Sequence, residues 1–140
     1  VISGAGPAIA LLAEKTGAAV VNTLLGKGAV SEAAHGNLGM LGMHGTAYAN
    51  KAVNGCDLIM AIGARWDDRI TGKLSEFCKD AVKLHIDVDR AEFSKVVKPD
   101  VSMLGYAKLV IEDLLPLVTR CDSAEWRMKG NSTYSTGAMK

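Results

Sequence analysis

The chain has 140 residues, the size of one ordinary domain, and 49% of them are hydrophobic against 22% charged. That is enough apolar content to build a core, which excludes disorder as the main state. Sixteen Lys+Arg against fifteen Asp+Glu leave a formal charge of +1, and aromatic residues make up 5%, so the signatures of a nucleic-acid binder, an acidic-membrane binder and a base-stacking platform are all missing.

Val1-Ile2-Ser3 reads as a strand running into the turn Gly4-Ala5-Gly6-Pro7. Opening inside a strand, without an initiator Met, suggests an excised piece of a longer protein. Pro7 suits the first turn of a helix, where its missing N–H is not needed. Ala8 to Lys15 is then helical, with Ile9, Leu12 and Ala13 on one face and Gly17 as the stop. Ala18 to Val21 reads as a short buried strand closed by Asn22-Thr23. Leu24 to Gly45 holds glycines at 26, 28, 36, 39, 42 and 45 and reads as mostly loop. A connection that long is usually functional.

Thr46 to Val53 returns to helix, with Thr46 as N-cap and Gly55 beyond its end. Asp57 to Gly63 is continuously apolar rather than alternating, the pattern of a parallel strand buried on both faces. A short helix is predicted over Lys73–Phe77, a strand over Val82–Val88 and a turn over Ala91–Lys95 before Pro99. A last strand, Val101–Leu104, precedes Gly105 and a final helix, Ala107–Leu115. Strands separated by helices give βαβ units and a layered α/β sandwich with a mainly parallel sheet. Residues 1–119 form one domain in this reading, and 120–140 form a linker or disordered tail.

Three cysteines (Cys56, Cys78, Cys121) have neither metal-ligand spacing nor a disulfide framework, which fits a reducing cytosol and a cytoplasmic protein. No apolar run approaches a membrane span, and the first residues lack the pattern of a signal peptide.

In an open parallel sheet, ligands bind outside the carboxyl ends of the strands. Gly4-Ala5-Gly6 lies at such a place, where a helix N-terminus can receive a phosphate or a chain can simply turn. Thr23 to Gly28 is a second such loop, and Lys27 reads as a solvated loop residue. Gly63-Ala64-Arg65-Trp66-Asp67-Asp68-Arg69 follows the most apolar strand. Arginine binds phosphate in a fork and aspartate accepts sugar hydroxyls, though an ion-pair cluster has the same composition. Asp87 can hold a nucleotide hydroxyl, while Asp89 reads as the cap of the following turn. His44 has no Cys, His or acid at metal spacing, and His35 and His85 are distant in sequence. A zinc or nucleophile-base role is therefore unsupported, and a ligand contact or a structural role stays open for His44.

Four motifs stand in one order: Asn22-Thr23-Leu24-Leu25-Gly26-Lys27-Gly28, Leu38-Gly39-Met40-Leu41-Gly42-Met43-His44-Gly45-Thr46, Gly63 to Lys73, and His85-Ile86-Asp87-Val88-Asp89. Together they resemble the central domain of the acetohydroxyacid (acetolactate) synthases, thiamine-diphosphate enzymes of branched-chain amino-acid synthesis. The resemblance covers about Val1 to Val118. It implies a Rossmann-like α/β/α domain with a six-stranded parallel sheet that binds FAD, a largely structural cofactor without net redox work in that family. By motif matching, Thr23, Leu24, Leu41, Gly42, Met43 and His44 would touch the flavin nucleotide. Gly63, Ala64, Arg65, Asp67, Asp68 and Arg69 would hold the diphosphate and ribityl region. Asp87 and Val88 would meet the adenosine, and Gly4, Ala5 and Gly6 match the first glycine-rich turn.

Tyr106 stands where the family usually has an aspartate, and the tail after Trp126 departs from the usual linker. In the family, a glutamate of the N-terminal domain activates the thiazolium, and the C-terminal domain binds diphosphate through Mg2+ with a Gly-Asp-Gly…Asn motif. These 140 residues contain no Gly-Asp-Gly. The resemblance therefore implies a catalytically silent domain. Its partners would be the N- and C-terminal domains, a second copy in a homo-oligomer and a regulatory subunit, with neither nucleic acid nor membrane. The alternative is a free-standing flavin- or nucleotide-binding module, or a structural interaction unit.

Overall fold

The computed structural model describes residues 4–34, 36–72 and 76–121. The strand expected at Val1–Ser3, His35, the first part of the helix expected at Lys73–Phe77, and the tail from Asp122 lie outside the described residues. In chain order the elements are α1 (Gly6–Thr16), β1 (Val20–Asn22), β2 (Asn37–Met40), α2 (Ala47–Asn54), β3 (Leu58–Ile62), α3 (Asp68–Thr71), β4 (Val82–Asp87), a 3-10 turn (Arg90–Glu92), β5 (Val101–Leu104) and α4 (Ala107–Leu114).

Local chemistry explains most of the boundaries. Pro7 lies in the first turn of α1, and Gly17 ends the helix with φ 71°, a left-handed conformation that glycine adopts without steric cost. The Thr46 hydroxyl caps α2 by accepting from the Ala49 N–H at 3.1 Å. Asp89 caps the 3-10 turn in the same way, accepting from the Ala91 N–H at 2.9 Å. Glu76 and Phe77 sit in a turn, whereas the short helix of this region comes earlier, as α3.

Every strand pairing described is parallel. β3, β4 and β5 form a three-stranded sheet in that order, with Ile62 opposite Ile86 and Asp87 opposite Leu104. β1 and β2 form a separate two-stranded sheet whose register shifts between Val20 and Asn22. The described strands thus make two small sheets, and a single six-stranded sheet is not seen among them. β1 has three residues and β2 four, too few ladder positions to extend far across a layer.

The three-stranded sheet is covered on both faces. Ile86, Ile111, Ala8 and Leu12 pack together from β4, α4 and α1, with Met60, Ile62 and Met103 beside them. On the other face, Val53 of α2 packs with Ala61, Trp66, Phe77, Cys78 and Ala81. Alternate residues of β3 therefore enter opposite cores, as strict period-two geometry requires. Val21 and Leu41 pack against the second core, so the smaller sheet shares it. Ile86 and Ile111 are fully buried, worth roughly 1.5–3 kcal/mol each.

Candidate functional site

Parallel pairing places the carboxyl ends of β3, β4 and β5 on one edge. Two backbone bonds fix that edge: the Gly63 N–H donates to the Ile86 carbonyl at 2.8 Å, and the Gly105 N–H to the Asp87 carbonyl at 2.9 Å. Gly63 leaves β3 with φ 59°, where a Cβ would be strained although nothing lies within 4 Å of it. The chain then presents Ala64 and Arg65. The Arg65 side chain is exposed and has no hydrogen bond or ion pair with a described residue. Asp67 accepts from the Ile70 N–H at 3.2 Å and so starts α3. The side chains of Asp68 and Arg69 lie outside the described set.

Trp66 turns inward from this loop and is buried. Its Nε1–H donates to His85 Nδ1 at 3.2 Å. Because indole can only donate, Nδ1 accepts and the ring proton sits on Nε2. His85 Nε2 lies 3.6 Å from Asp87 Oδ2, and it is a fully buried atom without a hydrogen-bond partner. Phe77 and Phe93 pack edge-on against Trp66 and His85, with centroids 5.5 and 5.0 Å apart respectively. Asp87 Oδ1 accepts the Asp89 N–H at 2.9 Å. A chain of polar contacts therefore runs from the loop after β3, through the core, to the carboxylate that ends β4.

The exits of β1 and β2 are tied to each other. The Leu41 N–H donates to the Asn22 carbonyl at 2.9 Å. Asn50 of α2 clamps Gly42 from both sides: its Oδ1 accepts the Gly42 N–H at 3.0 Å and its Nδ2 donates to the Gly42 carbonyl at 2.9 Å. The turn closes with the Thr46 N–H on the Met40 carbonyl at 2.9 Å. Met43 and His44 project from its outer side into solvent. Leu41 and Ala64 pack against the same core cluster.

After β1, Thr23 Oγ1 accepts the Gly26 N–H at 3.1 Å and leaves Leu24 and Leu25 exposed. This loop lies against the start of α1: a Cβ at Gly6 would run into the Ala29 carbonyl oxygen. Ala5 and Gly6 are buried, while Gly4 is exposed with φ 65°. Lys27 is exposed, as its loop position suggested, and is ion-paired to the equally exposed Glu32 at 3.4 Å. Val88 and Tyr106 lie exposed beyond β4 and β5.

The structure thus places Gly63, Ala64 and Asp87 at the carboxyl ends of adjacent strands of the larger sheet, packs Leu41 and Ala64 on one core cluster, and puts Ala29 of the loop after β1 against the start of α1. The sequence reading gave no part to Asn50, Trp66 or His85. The signal for Asn50 was an amide four residues after the cap Thr46, on the same helix face. For His85 it was an imidazole inside an otherwise apolar strand.

Leu24, Leu25, Met43, Val88 and Tyr106 are exposed in the segments that follow the strands, whereas the Asp87 side chain at the end of β4 is mostly covered. Among the described residues, no group of three His, Cys, Asp or Glu side chains could hold a metal ion, and no helix is long and apolar enough to cross a membrane.

The family model "Thiamine pyrophosphate enzyme, central domain" matches residues 1–114. The acetolactate synthase large subunit of Cyanidium caldarium is 52% identical over 96 residues, which is 69% of this chain and 16% of that protein. The probable acetolactate synthase large subunit of Methanocaldococcus jannaschii is 47% identical over 115 residues, 82% of this chain and 20% of that protein. Acetolactate synthase 2, chloroplastic, of Nicotiana tabacum is 43% identical over 122 residues, 83% of this chain and 18% of that protein. The chain therefore spans a fifth or less of the length of these relatives.

Proposed function

The chain belongs to the thiamine pyrophosphate enzyme central-domain family, and on that footing we propose that it is the FAD-holding central domain of an acetolactate synthase. The reaction of the whole enzyme would be decarboxylation of pyruvate and ligation of the resulting two-carbon unit to a second 2-oxo acid. Thiamine diphosphate and Mg2+ would bind on domains outside these 140 residues. The chain by itself would bind cofactor without turnover.

One observation carries the cofactor reading: exposed apolar side chains and an exposed Arg65, with no partner among the described residues, follow the carboxyl ends of parallel strands. Arg65 would fork onto the diphosphate and Asp87 would accept a ribose hydroxyl. Leu24, Met43 and Val88 would cover the ring systems. The loop amides of Gly42 and Gly63 are already used within the protein, so side chains rather than those amides would supply the polar contacts. Bound there, the flavin would supply a rigid spacer between domains rather than electrons. Flanking domains, a second copy and a regulatory subunit are the partners we propose, in the cytoplasm; Leu109 and Leu117, both exposed on the α4 side, suit such contacts.

The test is FAD titration by fluorescence quenching of three variants. Removing a charge-assisted bond to phosphate costs about 1.5–3 kcal/mol, so Arg65→Ala should weaken binding about ten- to a hundredfold. Asp68→Ala should weaken it less. Lys27→Ala breaks a surface pair worth at most about 1 kcal/mol and should leave binding intact. If Arg65→Ala binds like the parent while Lys27→Ala does not, the cofactor lies elsewhere.

A further inference from the structure

Cys56 and Cys78 are far apart in sequence and meet at one carbonyl. Cys56 follows the Gly55 stop of α2, and Cys78 lies in the turn before β4 with φ 45°, a left-handed conformation unusual for a non-glycine residue. Each Sγ is 3.0 Å from the Val53 carbonyl oxygen. Two sulfurs on one oxygen cannot be further apart than the sum of those distances. The pair is graded in exposure: Cys78 is buried, and Cys56 is only partly covered. The third cysteine, Cys121, is exposed.

We propose that Cys56 and Cys78 are a peroxide-oxidisable dithiol, with Cys56 the sulfur attacked first and Cys78 the one that resolves it. The neighbouring Cys78 S–H favours a Cys56 thiolate and draws its pKa below the usual thiol value, with help from Lys83 and against burial and Asp57. The proximity of Cys56 and burial push the Cys78 thiol up, so it keeps its proton on the Val53 carbonyl. That is the division of labour the chemistry needs.

In the first step the Cys56 thiolate attacks one oxygen of hydrogen peroxide. The O–O bond breaks, two electrons pass from sulfur to peroxide, and with one proton taken up the products are Cys56 sulfenic acid and water. In the second step Cys78 sulfur displaces the hydroxyl from Cys56. An S–S bond forms, the S–O bond breaks, and the thiol proton leaves with the hydroxyl as a second water. The disulfide would close a loop containing all of β3, Arg65 and α3, which makes the strand exit at the candidate site its main structural target.

The test uses the full chain carrying Cys121→Ser, which removes the exposed competitor. After one equivalent of hydrogen peroxide, free thiols are blocked under denaturing conditions and the protein is weighed and peptide-mapped. We expect loss of two hydrogens, a peptide pair joined through Cys56 and Cys78, and full reversal by dithiothreitol. In the Cys78→Ser background, dimedone should trap a sulfenic acid on Cys56 that the parent does not accumulate. Blocked, unlinked Cys56 and Cys78 after peroxide would overturn the proposal, as would the absence of dimedone labelling on Cys56 in the Cys78→Ser background. None of these readouts depends on flavin binding.

Discussion

Trp66→Phe tests whether the buried contact between the β3 exit and β4 holds the edge together. Phenylalanine keeps a ring against Phe77 but removes the donor to His85 Nδ1. His85 is fully buried and its Nε2 already lacks a hydrogen-bond partner, so the variant leaves both ring nitrogens unsatisfied. A newly orphaned buried acceptor costs about 1–3 kcal/mol. The smaller ring adds roughly 1 kcal/mol of lost packing, for a total of about 2–4 kcal/mol. At about 3–4 °C per kcal/mol for a chain of this size, Tm should fall by roughly 6–16 °C. Thermal and urea melts followed by circular dichroism are the suitable assays, because Trp66 is one of only two tryptophans and fluorescence would change with the variant. The pair can be separated from the packing by a double-mutant cycle with His85→Leu. Once His85 carries no polar nitrogen, Trp66→Phe should cost at least about 1 kcal/mol less than it does in the parent. A loss below about 0.5 kcal/mol for Trp66→Phe alone, or strict additivity in the cycle, would refute the reasoning.

Gly6→Ala should destabilise the chain by about 1–3 kcal/mol in urea melts, because the new methyl meets the Ala29 backbone oxygen, which cannot swing away as a side chain would. Tyr106→Asp should stabilise it by about 0.5–2 kcal/mol, since Tyr106 is the N-cap of α4 with extended φ and ψ and makes no capping bond. An unchanged or lower melting temperature would show that α4 starts differently. Pyruvate with thiamine diphosphate, Mg2+ and FAD should give no acetolactate above the no-protein control in a colorimetric assay of the 140-residue chain, and turnover would contradict the division of labour proposed above.

What the sequence disclosed was what neighbouring residues decide. Gly17 as a stop, Thr46 and Asp89 as caps, and the apolar runs that became β3, β4 and β5 all depend on chemistry within a few residues. β2 was missed because Asn37-Leu38-Gly39-Met40 has poor strand propensity and is held by tertiary bonds, among them Asn22 Nδ2 to Asn37 Oδ1 at 3.4 Å. The division into two sheets was not legible either, since pairing is non-local and the shift at β1 leaves no mark in composition. At the site, the loops after the strands could be picked out by the rule for parallel sheets and by motif resemblance. The supports could not: Trp66 and His85 are 19 residues apart, and nothing local says that an indole N–H will meet that imidazole. Lys27 was read as a solvated loop residue and is exposed, with a surface ion pair to Glu32 five residues on that the reading did not anticipate.

The central claim is that this strand edge binds a flavin dinucleotide. Isothermal titration of the unmodified chain with FAD, repeated on Arg65→Ala with folding checked by circular dichroism, tests it most directly. The account predicts saturation at one FAD per chain, with the Arg65→Ala isotherm shifted about tenfold or more to weaker binding. A folded parent chain that shows no saturable binding, or an isotherm that Arg65→Ala leaves unmoved, would contradict it.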